Sequence, residues 1–308
     1  MRYGLIESMR RSYSIGLMCR VLNVSESGFH AQRTRPLCKR KRENRRLEIE
    51  ILAAHQRTRE TYSAKRLHHD LADHGVQATP YRVRTLRRKL GLRCKQKLKF
   101  KVTTDSKHNL PVAPNILKRE FSVNAPGKVW VSDITYIPTD EGWLYLAGIK
   151  DLFNGELVGY AMNEKMTKSL VIQALFRATA NKHPDKGLIA HSDQGSQYCA
   201  HDYRNLLQQF GMIASMSRKG DCYDNAPMES FWGILKTELV HHRRFKTRQQ
   251  AIQEITEYIE IFYNRQRKQE RLGYLSPAQF TQCNKPRNLG LFCALFGTVT
   301  PAGLTAHF

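Results

Sequence analysis

The stretch KVWVSDITYIPT, residues 128–139, decides the fold class of this chain. Its β-branched and aromatic residues are typical of a buried strand. Two similar stretches follow, WLYLAGIKD at 143–151 and ELVGYAMNE at 156–164, and Asn154-Gly155 between them is a strong hairpin turn. The sequence therefore predicts three consecutive strands, the first of which carries a carboxylate, Asp133, among apolar neighbours.

Beyond these strands, helical and strand patterns alternate along the chain. The predicted elements are a helix at 168–180, a short apolar strand at 188–190, a helix near 201–210, a strand at 212–216, and helices around 225–241 and 247–263. This order predicts an α/β core built on a mixed five-stranded sheet. We expect the first strand to be central, with the strand at 188–190 beside it.

Three carboxylates occupy unusual places in this pattern. Asp133 lies inside a strand, where an unpaired charge is costly. Asp193 follows the buried strand in LIAHSDQGSQY, residues 188–198, where it is either a turn residue or a metal ligand. Glu229 lies in the first turns of a helix that Asn225 can cap, and it can simply complement the helix dipole there. Taken singly, each residue has an ordinary structural explanation.

Their expected convergence points to metal chemistry. If the glutamate helix packs across the same end of the sheet, the three carboxylates repel one another unless divalent cations lie between them. Oxygen ligands favour Mg²⁺ or Mn²⁺, and two such ions can hold the attacking and leaving oxygens of a phosphodiester. Lys236 follows Glu229 by two helical turns and shares its face. There it either reaches a DNA phosphate or is an ordinary solvated lysine.

The charge of the chain indicates a polyanionic partner. The formal net charge is +23, with ten Lys/Arg and no acid in residues 81–101, and eight Lys/Arg against one acid in residues 33–46. Clusters of this kind favour binding to DNA phosphates. The longest apolar run, residues 289–299, is too short for a membrane span, and the N-terminus lacks a signal-peptide pattern. We therefore expect a cytoplasmic protein without a membrane partner.

Two helical units precede the predicted core. Residues 14–33 read as two short helices around a turn, with Ser25 as a cap, which is either a helix-turn-helix or a plain helical hairpin. Further helices follow, and Thr79-Pro80 opens the last of them, which Gly91 closes. This helix is predicted to bind DNA or to serve only solubility. Its basic residues are Arg82, Arg84, Arg87, Arg88 and Lys89.

Several motifs together resemble a known family. DITYIPTDEGWLYLAGIKDLF, HSDQGSQY, SMSRKGDCYDNAPMESFWGILKTEL and YN…LGYLSPAQF are similar to the OrfB subunit of bacterial IS-three-family insertion-sequence transposases, which are DDE enzymes of the retroviral-integrase-like superfamily. SIGLMCRVLNVSESGFH, YSAKRLHHDLADHG and YRVRTLRRKLGL resemble the helix-turn-helix segments of the same proteins. The resemblance covers roughly residues 1–283 in the family's order and spacing.

The resemblance implies an RNase H-like catalytic core whose triad corresponds to Asp133, Asp193 and Glu229, with Lys236 as the basic residue of the glutamate helix. It implies 3′-end cleavage and strand transfer on the double-stranded DNA of the element's terminal repeats and its target, with circularisation before integration. It also implies a homo-oligomer on DNA, and an upstream OrfA-type protein joined to this chain by frameshifting. The corresponding location is the bacterial cytoplasm, where the enzyme would be associated with the nucleoid.

The hypothesis from the sequence is thus a transposase that uses Mg²⁺ or Mn²⁺, with two ions at Asp133, Asp193 and Glu229. A hydrolytic nuclease on the same fold and a DNA-binding regulator with an inactive core remain alternatives. The predicted parts are a helix-turn-helix segment at 1–36, a second helical DNA-binding unit at 37–100, a linker at 101–126, the catalytic core at 127–283 and a tail without an assigned role at 284–308.

Overall fold

The computed structural model of the chain describes residues 2–34, 36–95, 111–218 and 221–284. The chain divides into two compact units, Met1–Cys94 and Lys95–Phe308. Within the described residues, no helix is both long enough and apolar enough to cross a membrane.

The first unit begins with three short helices. These are α1 (Arg2–Met9), α2 (Ile15–Val21) and α3 (Glu26–Thr34). The two helices predicted at 14–33 are present, and the Ser25 hydroxyl accepts a hydrogen bond from the Gly28 N–H at 3.1 Å, as expected of a cap. Helix α1 was not predicted from the sequence. Its single buried side chain, Ile6, packs with Met18 and Phe29 and completes a small core.

Three longer helices complete the first unit. These are α4 (Lys39–Arg57), α5 (Ala64–Asp73) and α6 (Pro80–Lys89). Their buried apolar residues are Leu47, Ile51, Leu67, Leu71, Val83 and Leu86. The Thr79 hydroxyl caps α6 by accepting from the Arg82 N–H at 3.3 Å, and Gly91 has a positive φ of 68° just beyond the helix. Both ends of α6 are therefore those expected from the sequence.

The second unit is built on a five-stranded sheet. Its strands are β1 (Val129–Thr139), β2 (Gly142–Asp151), β3 (Leu157–Asn163), β4 (Ile189–Ser192) and β5 (Ile213–Met216). The strand order is β3-β2-β1-β4-β5. Strand β1 pairs antiparallel with β2 and parallel with β4, and β4 pairs parallel with β5. The first strand is thus central and the fourth lies beside it, as predicted.

Helices cover both faces of this sheet. On one face lie α7 (Lys168–Lys182), α8 (Ser196–Cys199) and α9 (His201–Gln209). On the other face lie α10 (Ala226–Glu238) and α11 (Arg248–Glu257). Helix α11 continues as a π-helix over Tyr258–Gln266, and α12 (Pro277–Cys283) follows. Gly159 permits the packing of α7 on β3, because a Cβ there would lie 2.5 Å from the Ala174 carbonyl oxygen. Side chains of β2 alternate between the two faces. Ala147 and Ile149 join the core under α7, whereas Gly148 faces α10.

The segment expected to be a linker is part of this unit where the structure describes it. From residue 111 onward it lies along the sheet edge, with Leu117 buried. The Ser215 hydroxyl of β5 accepts hydrogen bonds from the N–H groups of Ile116 and Leu117 at 3.0 and 3.3 Å. Strand β5 would otherwise be an open edge, so this segment covers it. Residues 101–110 and the predicted tail beyond residue 284 lie outside the described residues.

Candidate active site

The site is centred on Asp133 in the central strand. One carboxylate oxygen, Oδ1, accepts the N–H of Ile134 at 2.8 Å. The other, Oδ2, accepts the indole Nε1–H of Trp232, on α10, at 3.0 Å. A carboxylate inside a strand is costly unless it is hydrogen-bonded, and here both oxygens have a donor. Asp133 is therefore held in one orientation at the junction of β1 and α10.

Asp193 and Glu229 both act on this carboxylate. The pKa of Asp133 is raised to about 8, first by burial, next by the charge of Asp193 and also by that of Glu229. Burial likewise raises the pKa of Glu229, in the first turn of α10. Because charge effects of this kind need proximity, Asp193 and Glu229 both lie near Asp133. The structure thus brings together residues that are distant along the chain.

Asp193 also has the structural role that its sequence context suggested. Its Oδ1 accepts the N–H of Gly195 at 3.0 Å, which is the hydrogen bond of an Asx-turn after β4. The turn orients the residue while its charge still raises the pKa of Asp133. The two interpretations of Asp193 are therefore compatible, because one carboxylate oxygen is sufficient for the turn.

The loop after β4 is held from beneath by His191, which is fully buried. Its Nδ1 lies 2.9 Å from the Ser215 hydroxyl and its Nε2 lies 3.2 Å from that of Ser217. Ser215 already accepts two backbone N–H groups, so its own proton is directed to Nδ1, and Nε2–H donates to Ser217. Burial lowers the pKa of His191, which favours this neutral form. His191 therefore joins β4 to β5.

An ion-pair cluster around one buried carboxylate fixes the start of α10. Asp224 is completely buried, and its carboxylate accepts from Arg218 at 2.9 and 3.0 Å and from Arg119 at 2.8 Å. These guanidinium groups hold its pKa well below the usual range. Arg119 belongs to the segment at the β5 edge, so this segment helps to position the helix that carries Glu229.

Asn225 does not cap α10, contrary to the expectation from the sequence. Its side chain makes no cap hydrogen bond, and its Nδ2 instead donates to the Ser132 carbonyl at 3.0 Å. Ser132 immediately precedes Asp133. The amide thus connects the start of the glutamate helix directly to the strand that carries the first acid, a contact that local capping preferences cannot reveal.

Two buried lysines flank the site. Lys236, predicted to share the face of Glu229, lies with its Nζ 4.8 Å from the Tyr136 ring centroid. Burial lowers the pKa of Lys236, and the charge of Asp133 raises it. Lys150 on β2 was not singled out in the sequence. Its Nζ donates to the Pro227 carbonyl at 3.0 Å, and burial, Arg271 and Arg267 lower its pKa to about 7.

The carboxylates of this site suit a hard divalent cation, because all three supply oxygen atoms as metal ligands. Nevertheless, no three His, Cys, Asp or Glu side chains among the residues that the structure describes lie close enough to share an ion as they stand. The acids are thus coupled through their charges but do not form a closed cage. Side-chain movement would be needed to close them around a cation.

The basic residues of α6 fall into two groups. Arg82 and Lys89 face α4: Arg82 Nε donates to Asn44 at 2.8 Å, and Lys89 Nζ lies 2.6 Å from Glu48. Arg84 and Arg88 are exposed, whereas Arg87 is partly buried. Tyr81 lies on the same exposed face at helical spacing and is 78% exposed. The charge that faces outward from this helix therefore comes mainly from two arginines.

Three family models match parts of the chain. Residues 41–100 match an HTH-like domain family, and residues 123–222 and 229–284 match two family models of the integrase core domain. Together with the mixed five-stranded sheet, these matches define an RNase H-like enzyme of the polynucleotidyl transferase type, preceded by an HTH-like domain.

Similar proteins narrow the class. The chain is 56% identical over 265 residues to the insertion element IS600 uncharacterized 31 kDa protein of Shigella sonnei, covering 86% of this chain and 97% of that one. It is 39% identical over 289 residues to the transposase InsF for insertion sequence IS3A of Escherichia coli strain K12, covering 92% and 99%. The chain therefore belongs to the IS3 family of insertion-sequence transposases.

Solved structures show a more distant likeness. The intasome of simian T-cell lymphotropic virus, solved in complex with PP2A regulatory subunit B56 gamma, has a TM-score of 0.45 at 16% identity, covering 76% of each chain. The HTLV-2 integrase catalytic core domain, solved in complex with magnesium, has a TM-score of 0.41 at 16% identity, covering 51% of this chain and 97% of that one.

Proposed function

We propose that Asp133, Asp193 and Glu229 are the catalytic DDE triad of this transposase, and that it cleaves the 3′ ends of an insertion sequence and joins them to target DNA. The observation that carries the proposal is the state of Asp133, whose pKa is raised to about 8 by burial and by the charges of the other two acids. Structural carboxylates are normally paired with cations, as Asp224 is with two arginines. Two carboxylates that raise the proton affinity of a third form an arrangement that a bound divalent cation would compensate.

We propose that Asp133, Asp193 and Glu229 hold Mg²⁺ or Mn²⁺, with two ions as in other phosphodiester-cleaving sites. When bound, the ions supply activation of the attacking hydroxyl and stabilisation of the leaving 3′ oxygen. The protein contributes orientation: the Ile134 and Trp232 donors set the Asp133 carboxylate, and the Asx-turn sets Asp193.

No protein nucleophile is required in this scheme. Water first attacks the phosphodiester at the element's end and frees a 3′-hydroxyl, which then attacks a second phosphodiester. Lys236 lies on the glutamate helix near Asp133 and can place its ammonium group against a DNA phosphate. The 9% exposure of this residue limits that contact to DNA that has entered the site.

The helical units are proposed to hold the DNA. We assign residues 1–36 and 37–100 to DNA binding, residues 127–283 to catalysis and residues 101–126 to their connection, with no assignment for residues 284–308. Of the proposed contacts on α6, the exposed Arg84 and Arg88 can meet phosphates directly. Arg82 and Lys89 would first have to give up their contacts with Asn44 and Glu48, and Arg87 is partly buried.

The proposal includes partners. Two element ends must be processed together, so we propose at least a dimer of this chain on double-stranded DNA carrying the terminal repeats and the target. An upstream OrfA-type protein, fused by frameshifting, would supply recognition of the repeats. The enzyme would act in the bacterial cytoplasm, at the nucleoid.

The test is cleavage of a duplex that carries the terminal repeats, with Mg²⁺, by the wild type, Asp133→Asn and Glu229→Gln. We expect both substitutions to abolish 3′-end cleavage and to leave DNA binding nearly unchanged, because binding depends on the basic residues. Asp140→Asn is the matched control: it makes the same chemical change just beyond β1, where the side chain is 42% exposed. Equal cleavage by all four proteins would refute the triad.

A strand-joining assay separates the remaining functions. A transposase joins the freed 3′ end to a second duplex, whereas a hydrolytic nuclease releases ends without joining them. A regulator with an inactive core binds the repeats but cleaves nothing at any Mg²⁺ or Mn²⁺ concentration.

A further inference from the structure

The indole of Trp232, on α10, holds the Asp133 carboxylate of β1 by a hydrogen bond. Its Nε1–H donates to Asp133 Oδ2 at 3.0 Å, and the residue is 6% exposed. Trp232 follows Glu229 by three residues on α10, so that one helix carries both the third acid and the group that orients the first.

The chemistry of this donor suits a metal-binding carboxylate. An indole N–H is a donor only and has no charge, so it orients the carboxylate without neutralising it. The Ile134 N–H does the same for the other oxygen at 2.8 Å. Each oxygen of Asp133 therefore keeps a lone pair for a cation, and neither donor adds a positive charge that would compete with that cation, as a lysine or arginine partner would.

The sheet is shaped to admit this ring. Gly148 pairs with Asp133 in the β1–β2 register, and a Cβ at this position would lie 2.8 Å from the edge of the Trp232 ring. The same Cβ would lie 3.3 Å from Leu157 and Met228, so these side chains also pack closely against Gly148. The ring of Phe231 lies 4.9 Å from that of Trp232 and supports it further. The indole is thus fixed by packing as well as by its hydrogen bond.

We propose that Trp232 is a positioning residue, whose indole N–H holds the Asp133 carboxylate in the orientation that binds the divalent cation. This inference rests on the proposed function, since it takes Asp133 as a metal ligand. Loss of a donor to a metal-binding group typically costs about 10- to 100-fold in metal affinity or activity. The substitution that removes the donor and keeps an aromatic ring is Trp232→Phe.

The chain provides a matched control for this substitution. The Trp130 indole N–H donates to Asp151 Oδ2 at 3.2 Å, which is a second tryptophan–aspartate hydrogen bond on the same sheet but away from the triad. We expect Trp232→Phe to need about tenfold more Mg²⁺ for half-maximal 3′-end cleavage and to recover at high Mn²⁺. Trp130→Phe should keep the wild-type Mg²⁺ requirement, because its hydrogen bond serves only folding.

A second readout does not depend on activity. The chain has three tryptophans, so the spectrum of its ¹⁵N-labelled indole groups contains three signals, which single Trp→Phe variants assign. Titration of the full-length wild type with Mg²⁺ should shift the Trp232 signal, because a cation on Asp133 weakens the hydrogen bond. The signal of Trp143, which is 50% exposed, should not move. Gly148→Ala should reproduce the higher Mg²⁺ requirement by displacing the ring.

The outcomes separate this inference from the function on which it rests. Cleavage by Asp133→Asn at the wild-type rate would overturn the proposed triad itself. An inactive Asp133→Asn together with a wild-type Mg²⁺ requirement in Trp232→Phe would overturn the role of Trp232 alone. If Trp232→Phe does not fold, the wild-type titration decides, and a Trp232 signal that Mg²⁺ leaves in place would overturn the inference.

Discussion

Without divalent cations, the free energy of unfolding of the catalytic unit should fall as the pH rises in the wild type and not in Asp133→Asn. The variant should therefore gain stability relative to the wild type. Asp133 has a pKa of about 8 in the folded protein, against 3.8 for an aspartate side chain exposed to water, so the folded state holds a proton that the unfolded state has lost. Wild-type stability therefore decreases as the pH rises from about 4 to about 8. The asparagine variant cannot lose this proton and is free of that decrease.

The size of the effect follows from the shift. Between about pH 5.5 and pH 8.5, the full shift would destabilise the wild type relative to Asp133→Asn by about 3 kcal/mol, at roughly 1.4 kcal/mol per unit. Because Asp133 is partly exposed to water, solvent reduces both the cost of burying its charge and the repulsion from the other acids, and we expect about 2 kcal/mol. The asparagine side chain has one oxygen and cannot accept both hydrogen bonds, those from Ile134 and Trp232, which costs about 1 kcal/mol. This cost is the same at every pH, so it cancels when the two pH values are compared.

Urea denaturation in EDTA measures this difference. All three tryptophans, at positions 130, 143 and 232, lie in the unit Lys95–Phe308, so their fluorescence reports the unfolding of that unit alone. Mg²⁺ should then stabilise the wild type at about pH 8.5 and have little effect on Asp133→Asn. Parallel curves of stability against pH for the two proteins in EDTA would refute the electrostatic account of the site.

Three further predictions concern the parts that support the site and the DNA. Asp224→Asn should destabilise the catalytic unit by about 2 kcal/mol in urea denaturation near neutral pH. The difference should shrink as the pH falls below about 4, because the carboxylate of the unfolded wild type then takes up a proton while the folded one, with its lowered pKa, still keeps its charge. Glu238→Gln should lower the free energy of unfolding by about 3 kcal/mol in the same assay, because it leaves the buried Arg267 without its ion pair. An unchanged urea midpoint would contradict this. Arg84→Ala and Arg88→Ala should each reduce the slope of log K for DNA binding against log salt concentration by about one unit. Lys89→Ala should leave this slope unchanged, because Lys89 is paired with Glu48 in the wild type. Equal losses in all three variants would mean that the exposed face of α6 is not the DNA-binding face.

Local patterns in the sequence were sufficient for the elements of the core. The first three strands and the Asn154-Gly155 turn between the second and third were predictable, because β-propensity and turn chemistry act over a few residues. The caps at Ser25 and Thr79 were predictable for the same reason. Helix α1 was not, because one buried side chain, Ile6, produces no amphipathic pattern.

Contacts that depend on distant residues were not predictable in this way. Asn225 is a good N-cap by residue type, but its amide is used by the Ser132 carbonyl, 93 positions earlier in the chain. The segment before the core was predicted to be a linker, and its described part packs on the edge strand β5, because that edge needs hydrogen-bond partners. Neither outcome has a local signal.

The sequence by itself determined which residues are candidates for the chemistry. The identity and order of Asp133, Asp193 and Glu229, the basic helices and the alternation of strands and helices can all be read without coordinates, because they depend on residue type and spacing. Only the tertiary structure decided how the acids act on one another and what orients them. The charges of Asp193 and Glu229 reach Asp133, and Trp232 donates to it, because β1, β4 and α10 pack together at one place. Electrostatic repulsion and hydrogen bonding depend on distances through space, and those distances exist only once the sheet and its helices have packed.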